Sequence, residues 1–316
     1  MSDPLVWLPF DPAELTEVGE LPTGLRYEHV DPEVTGDRDR WDELPASLEE
    51  VAFQVMHYRF SVPDGEVLAR MPRLEVVQTQ TAGVEHVRGY VPEGVTLCNG
   101  RGIHDTATAE LAVTLALASL RDLPDHVRAQ SDHRWASRTG GSLADTTVLI
   151  VGYGQIGEAI EARLRPFEVA EVLRVARSAR PGVGDITDLP DLLPRADVVI
   201  VVVPGTQETR GLLDAAMLGR MRDGALLVNV ARGPVVDTDA LLAELTAGRL
   251  RAALDVTDPE PLPEDHPLWE APGLLLTPHV GGASTAMRPR ALRLVREQLA
   301  RFAAGEPVVN VVTGDY

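Results

Sequence analysis

Cysteine is nearly absent from this sequence: Cys98 is the single thiol in 316 residues. One cysteine excludes an intrachain disulfide framework and a four-cysteine metal site, and it suits a reducing compartment. Long apolar runs are missing as well. The longest, "VVIVVV" and "LAVTLALASL", fall far short of the ~20 residues that a bilayer-crossing helix needs, so no membrane partner is expected. The opening "MSDPLVWLPFDP" has neither a basic segment nor a long apolar one, so no secretory leader is expected and the cytoplasm is the expected location. Positive charge is scarce: 29 Lys and Arg against 48 Asp and Glu leave a formal net charge of -19 and a pI of about 4.8. Phosphate polymers would be repelled, which argues against nucleic acid as a partner, and an anionic ligand must be met by a local positive patch. No HExxH, paired CxxC or GxSxG string occurs, so neither a metal site nor a serine nucleophile is supported.

The remaining proportions, 44% apolar, 24% charged and 4% aromatic, are those of an ordinary globular protein. At 316 residues the chain is long for one core, so two domains are expected. Before residue 100, the short apolar runs "LVWLPF", "LRYEHV", "VAFQVMHY", "LEVVQTQTAGV" and "VTLCNG" alternate with Pro-, Gly- and Asp-rich punctuation. The segments "SLEEV" and "DGEVLARM" offer short helical turns between them, and the whole predicts a small α/β unit. "DTATAELAVTLALASLRDL" then predicts a long helix. From residue 146 the strands "TTVLIV", "EVLRV", "ADVVIVVVP", "GALLVNV", "RAALDV" and "GLLLTP" are apolar on both faces, as buried parallel strands are. Helical stretches, among them "QIGEAIEARLRPF", "LLDAAMLGRM" and "DTDALLAELTAG", lie between several of them, which predicts a doubly wound parallel sheet.

In "VGYGQIG", Gly152, Gly154 and Gly157 follow a strand and open a helix. That context, more than the GxGxxG string alone, suits the close backbone approach of a dinucleotide pyrophosphate. A site for NAD usually holds the ribose hydroxyls with an acidic residue at the end of the second strand. Here that strand ends in Ala176, Arg177 and Ser178, and the acid is missing. A carboxylate would repel a 2′-phosphate, whereas Ala176 leaves room for one and Arg177 with Ser178 can bind it. NADP is therefore the expected cofactor, NAD remaining possible; the bland alternative is a solvated basic loop. Arg174 lies within the strand and Arg180 beyond the turn, so each is expected to matter less than Arg177.

Four polar groups fall at the carboxyl ends of strands, where open α/β sheets bind ligands: Arg232, Asp255, Glu260 and His279. An anion binder, two carboxylates and an imidazole make a plausible set for acid-base work on an acidic substrate. Each could also be an ordinary cap or loop residue. His266, in a proline-bracketed acidic loop, is read as structural or peripheral.

At this point the residues carry a resemblance. "VGYGQIG", "NVARGPVVDTDAL", "ALDVTDPEPLPEDHPLW" and "TPHVGGAS" resemble the D-isomer-specific 2-hydroxyacid dehydrogenases, in particular their glyoxylate/hydroxypyruvate reductase branch, over about residues 74–290. The resemblance implies two Rossmann- or flavodoxin-like domains with parallel sheets. The substrate domain would be discontinuous, 1–100 with 285–316, around an NAD(P)-binding domain of 101–284. It implies Arg232, Glu260 and His279 as catalytic residues acting on a small 2-keto or 2-hydroxy acid. Ala82 and Gly83 of "TAGV" would join Arg232 on the substrate carboxylate, and Asp255 would contact the nicotinamide carboxamide. The implied cofactor contacts also include Gln155, Ile156, Val203, Pro204, Thr209, Val230, Ala231 and Gly281. A homodimer through residues 106–145 is expected, with Trp135 on an irregular arm; the alternative is that Trp135 packs within its own subunit. Where the family commonly has Phe-Gly before the second strand, this chain has "PFEVAE", with Glu168 and one extra residue. Three other readings stay open. A formate-type dehydrogenase would pair glutamine with the histidine, and Glu260 speaks against it. An NAD-linked phosphoglycerate dehydrogenase usually carries the acid missing here and often an extra regulatory domain, for which 316 residues are too few. A dinucleotide-sensing corepressor would share every motif and differ only in turnover.

Overall fold

Residues 3–58 and 61–313 are described by a computed structural model, and they divide into two compact units, 1–104 with 285–316 and 105–284. In the first unit each early apolar run becomes a strand: β1 (Leu5–Leu8), β2 (Arg26–His29), β3 (Val51–Val55), β4 (Val76–Gln78) and β5 (Thr96–Cys98). All pair parallel in the order β2-β1-β3-β4-β5, the flavodoxin-like arrangement. Successive residues of β1 face opposite cores, Leu5 and Trp7 on one side and Val6 and Leu8 on the other. The second of those cores is completed by Leu292, Val295 and Leu299 of the C-terminal helix Met287–Ala303, so the chain returns to finish the unit it began. Gln298 on that helix is fully buried; its amide donates to Gln78 Oε1 at 2.6 Å and to the Val309 carbonyl at 2.7 Å. A buried amide satisfied on both sides fixes the helix rotation as well as its depth.

The second unit holds β6 (Thr147–Val151), β7 (Glu171–Ala176), β8 (Gly184–Asp185), β9 (Val198–Val201), β10 (Leu226–Asn229), β11 (Arg251–Leu254) and β12 (Leu274–Leu276). They pair parallel in the order β12-β11-β10-β9-β6-β7-β8, the Rossmann order with one further strand, and the order reverses between β6 and β9. Val148, Ile150, Val198, Ile200, Leu226 and Val228 face one core, while Leu149, Val151, Val199, Val201 and Leu227 face the other. With helices on both sides there is no solvent face to mark with polar residues, and the segments read as unbroken apolar runs. The long helix Asp105–Leu120 packs Ala109, Ala112, Val113 and Ala116 into the first of these cores.

Two departures from the sequence expectations have local causes. "LLDAAMLGRM" gives only the turn Ala215–Leu218, because the Asp214 side chain accepts from Met217 N–H and starts the helix there, and Gly219 follows at once. The two-residue edge strand β8 was not expected, since Gly-Asp carries no strand signal.

One charged pair is built into this unit. Glu161, on the helix Gln155–Leu164, keeps only 8% of its side chain exposed and accepts from Arg174 Nε and Nη2 of β7 at 2.5 and 2.6 Å. Those bonds hold its carboxyl down at about 2, against the opposing pull of burial. Removing one partner strands a desolvated charge. Glu161→Gln should therefore lower the unfolding free energy by about 2–3 kcal/mol, less than for a fully buried pair because Arg174 keeps 28% of its side chain exposed. The stability from this pair is complete above the unfolded carboxylate range near 4.5 and is lost as pH falls towards 2. Urea titrations of parent and variant would check both; identical midpoints at neutral pH would refute the assignment.

Candidate active site

The glycine turn lies at the carboxyl end of β6, beside the point where the strand order reverses. Gly152 has φ 104°, and a Cβ there would meet the Val202 carbonyl oxygen at 2.6 Å. At Gly157 a Cβ would meet the Gly152 oxygen at 2.4 Å, so helix and turn touch through this residue. Gly154 differs: nothing lies within 4 Å of an added Cβ. It is the N-cap of the helix Gln155–Leu164, and no side chain caps that end. The leading N–H groups, beginning at Gln155 and Ile156, thus form an anion-binding end beside open space, and these residues fit a dinucleotide pyrophosphate.

The neighbouring loops are fixed by their own bonds. After β9, Thr209 Oγ1 donates to the Pro204 carbonyl at 2.7 Å and accepts from Thr206 N–H at 2.9 Å, while Val203 is buried. After β10, Val230 N–H donates to the Val201 carbonyl at 3.2 Å, and Val230 and Ala231 are both buried. After β7, Ala176 ends the strand and Arg177 and Ser178 are exposed. Glu168, in the place of the family's glycine, has φ 58° and accepts from Asp145 N–H at 3.0 Å. It adopts the left-handed conformation that glycine would have taken more readily.

The chemistry-bearing residues gather at the carboxyl ends of β10, β11 and β12. Asn229 closes β10, 1% exposed; its Oδ1 accepts from Ala231 N–H and its Nδ2 donates to the Arg232 carbonyl, each at 3.0 Å. It was not among the expected residues, although an asparagine three before the arginine of "NVAR" marks where the apolar run stops. Gly233 then lets two loops touch, since a Cβ there would lie 1.8 Å from the Thr257 oxygen. That contact sets Arg232 beside the loop carrying Glu260.

Asp255 follows β11 with 3% of its surface exposed. Its carboxylate accepts from Thr277 Oγ1 at 2.6 Å, Val280 N–H at 2.9 Å and Gly281 N–H at 2.8 Å, and its carbonyl accepts from His279 N–H at 2.7 Å. A Cβ on Gly281 would lie 2.9 Å from the same carboxylate, so glycine lets the loop close. His279 sits at φ 51°, and its Nδ1 lies 2.5 Å from Glu260 Oε1. The Glu260 hydrogen bond raises the imidazole's pKa above its ordinary value; partial burial and the Arg232 charge oppose it. Burial pushes the Glu260 carboxyl up, but His279, Thr257 N–H and Arg232 together bring it below the usual range. His266 stands apart: its Nδ1 accepts from Leu268 N–H at 3.2 Å and caps a short helical turn.

Ala82 and Gly83 belong to the first unit, past the end of β4. Asn99 Nδ2 donates to the Ala82 carbonyl at 3.1 Å and Thr81 Oγ1 to the Gly83 carbonyl at 2.7 Å.

Residues 113–281 match the family model for the D-isomer specific 2-hydroxyacid dehydrogenase, NAD binding domain. A human glyoxylate reductase/hydroxypyruvate reductase is 34% identical over 74% of this chain and 76% of its own length. The chain belongs to the D-isomer-specific 2-hydroxyacid dehydrogenase family. A D-3-phosphoglycerate dehydrogenase of Mycobacterium tuberculosis is also 34% identical, over 86% of this chain but only 53% of that longer protein. Among solved structures, a D-isomer specific 2-hydroxyacid dehydrogenase from Xanthobacter autotrophicus Py2, in complex with NADPH and MES, has a TM-score of 0.80 at 30% identity, covering 99% of this chain and 98% of that one. Membership makes the second unit's ligand a nicotinamide dinucleotide. Among the described residues no helix is long and apolar enough to cross a membrane, and no acidic, histidine or cysteine cluster could hold a metal ion.

Proposed function

We propose that this family member transfers a hydride between NADP(H) and C2 of a small 2-keto or 2-hydroxy acid of the glyoxylate or hydroxypyruvate kind, with D-specificity. The observation that carries the reading is the 2.5 Å contact of His279 Nδ1 with Glu260, within reach of the Arg232 charge. The nicotinamide, when bound, supplies the hydride. Glu260 takes Nδ1, which leaves Nε2 as the nitrogen that gives its proton to the carbonyl oxygen, and it keeps the ring protonated to higher pH. Arg232 meets the substrate carboxylate and polarises the keto group, a task its planar fork suits. Ala82 and Gly83 of the first unit are proposed as further substrate-binding residues. Asp255 acts first by holding the His279 loop, and its contact with the nicotinamide carboxamide belongs to the same proposal. The human relative's name supports the substrate class. The mycobacterial relative's supports a phosphoglycerate-type reading, against which stands the missing acid at the end of β7.

Residues 106–145 are proposed as the two-fold interface. Trp135 is 98% exposed, so it does not pack within its own chain, and Leu123 and Val127 of the helix Leu123–Ser131 are exposed beside it in sequence. Apolar side chains left in water on one segment suit a partner surface. Light scattering at micromolar concentration should give twice the chain mass; a monomer refutes the interface.

Reduction needs the imidazolium, so its rate falls as pH rises through the His279 pKa. Because Glu260 raises that pKa, Glu260→Gln should move the fall to lower pH. An unshifted pH-rate profile would separate the two residues' roles.

Cofactor choice tests the other half of the reading. A hydrogen bond to a charged group contributes roughly 1.5–3 kcal/mol net, so two from Arg177 and Ser178 would favour NADPH over NADH by up to about two to four orders of magnitude in kcat/KM, less what solvent exposure removes. Equal use of the two cofactors by the unmodified protein would overturn the NADP assignment.

A further inference from the structure

The three arginines of "VLRVARSAR" have different surroundings. Arg174 is committed to Glu161. Arg177 and Arg180 are exposed, and among the described residues no carboxylate pairs with either. Arg180 is nonetheless held in place twice over. Its backbone brackets the turn Arg180-Pro181-Gly182-Val183: Arg180 N–H donates to the Val183 carbonyl at 2.9 Å and Val183 N–H returns the bond at 2.8 Å, with Gly182 at φ 78° as a type II turn requires. Its guanidinium donates through Nη2 to the Tyr153 carbonyl and lies 5.6 Å from the Tyr153 ring centroid. Arg174 lies 5.6 Å from the same centroid, and the Tyr153 hydroxyl donates to Glu161.

Tyr153 is the residue between the first two glycines of the phosphate turn. One side chain therefore touches the helix acid, the β7 arginine and the arginine of the following turn. We propose that Tyr153 is a specificity-determining positioning residue, which holds Arg180 at the glycine turn as a cation for an anionic group on the adenine ribose. The inference rests on the reading that this unit takes NADP(H). Its physical basis is preorganisation. A free arginine loses several rotors when it closes on a phosphate, whereas one already seated on a ring and a carbonyl has lost them beforehand. The ring itself is kept in place by its hydroxyl, which donates to a carboxylate that Arg174 neutralises. Cofactor choice would then be set partly inside the phosphate-binding motif and not only in the loop after β7.

The test uses 2′,5′-ADP and 5′-AMP as probes, titrated calorimetrically into the full-length protein, with steady-state NADPH and NADH kinetics alongside. Tyr153→Leu should lower the 2′,5′-ADP to 5′-AMP affinity ratio about five- to tenfold. It should raise the KM for NADPH to match and leave kcat and the KM for the keto acid within twofold. Tyr153→Phe keeps the ring and should recover most of the ratio. Should Tyr153→Leu prove unstable, Arg180→Ala, on an exposed turn, carries the same test: it should lower the ratio at least as much. In the Arg180→Ala background, Tyr153→Phe and Tyr153→Leu should then change the ratio no further, because they act through the missing group. A Tyr153→Leu protein that folds and keeps the parental ratio overturns the role of Tyr153 while leaving NADP binding intact. A further loss from the tyrosine changes when Arg180 is already absent overturns it too. A parent that binds 2′,5′-ADP no better than 5′-AMP overturns the NADP reading and the inference together.

Discussion

The site depends on a carboxylate that has almost no access to water. Asp255 follows β11 with 3% of its surface exposed, and a carboxylate so placed must be supplied with donors from the protein. The following loop provides them: Thr277 hydroxyl and the N–H groups of Val280 and Gly281 converge on it, and the Asp255 carbonyl takes His279 N–H. Wrapping one loop around one carboxylate leaves His279 at φ 51°, a conformation that a side-chain-bearing residue adopts only when its surroundings fix it. The side chain that leaves the backbone at this bend reaches Glu260. Asn229 acts in the same way one strand over, and the two are joined, since Asp255 N–H donates to the Asn229 carbonyl at 2.9 Å. Two buried polar residues at adjacent strand ends thus fix the loops of Arg232 and His279, and the paired strands β10 and β11 fix the distance between them.

Charge is distributed with a similar economy of means. The chain has no lysine, so every one of its 29 basic side chains is an arginine. A guanidinium can be shared between a carboxylate fork and an aromatic face in a way that an ammonium cannot. Arg174 does both, bonding Glu161 while lying over Tyr153. In a molecule of charge -19, arginines without an acid partner are the places where an anion can be met. Among the described residues Arg177 and Arg180 are both in that position, within four residues of each other, and Arg180 is held at the glycine turn by the Tyr153 carbonyl.

What the sequence makes legible follows from what is local. Strands β6, β9 and β10 announce themselves because both faces are buried, and the glycines of the turn do so because Gly152 and Gly157 leave no room for a Cβ. Arg232, Asp255, Glu260 and His279 stand out as polar residues where apolar runs end. The Glu161, Arg174 and Tyr153 cluster is not legible in this way. Glu161 looks like a solvated helix acid and Arg174 like a strand residue, and only the packing of that helix against β7 brings them together across thirteen positions. The turn at Asp214 and the edge strand β8 were hidden for the opposite reason: each is decided by one side chain or one strand partner, below what periodicity can register.

The electrostatics around His279 are a competition between neighbours of opposite sign. Glu260, through its hydrogen bond and its charge, and Asp255 favour the imidazolium, while Arg232 and partial burial disfavour it. The geometry gives Glu260 the advantage, since its carboxylate is hydrogen-bonded directly to the ring. Arg232 cannot be dispensed with in the proposed reaction, because it is the group matched to the substrate carboxylate, yet its charge works against the proton that the reaction needs. The conflict resolves on binding. A carboxylate seated on Arg232 neutralises the cation that opposes the imidazolium, so the proton is held more firmly in the complex than in the free protein. On the proposed reading the acid is then best charged when a keto group is in place to receive its proton, and arginine and histidine serve one step because the substrate itself removes the repulsion between them.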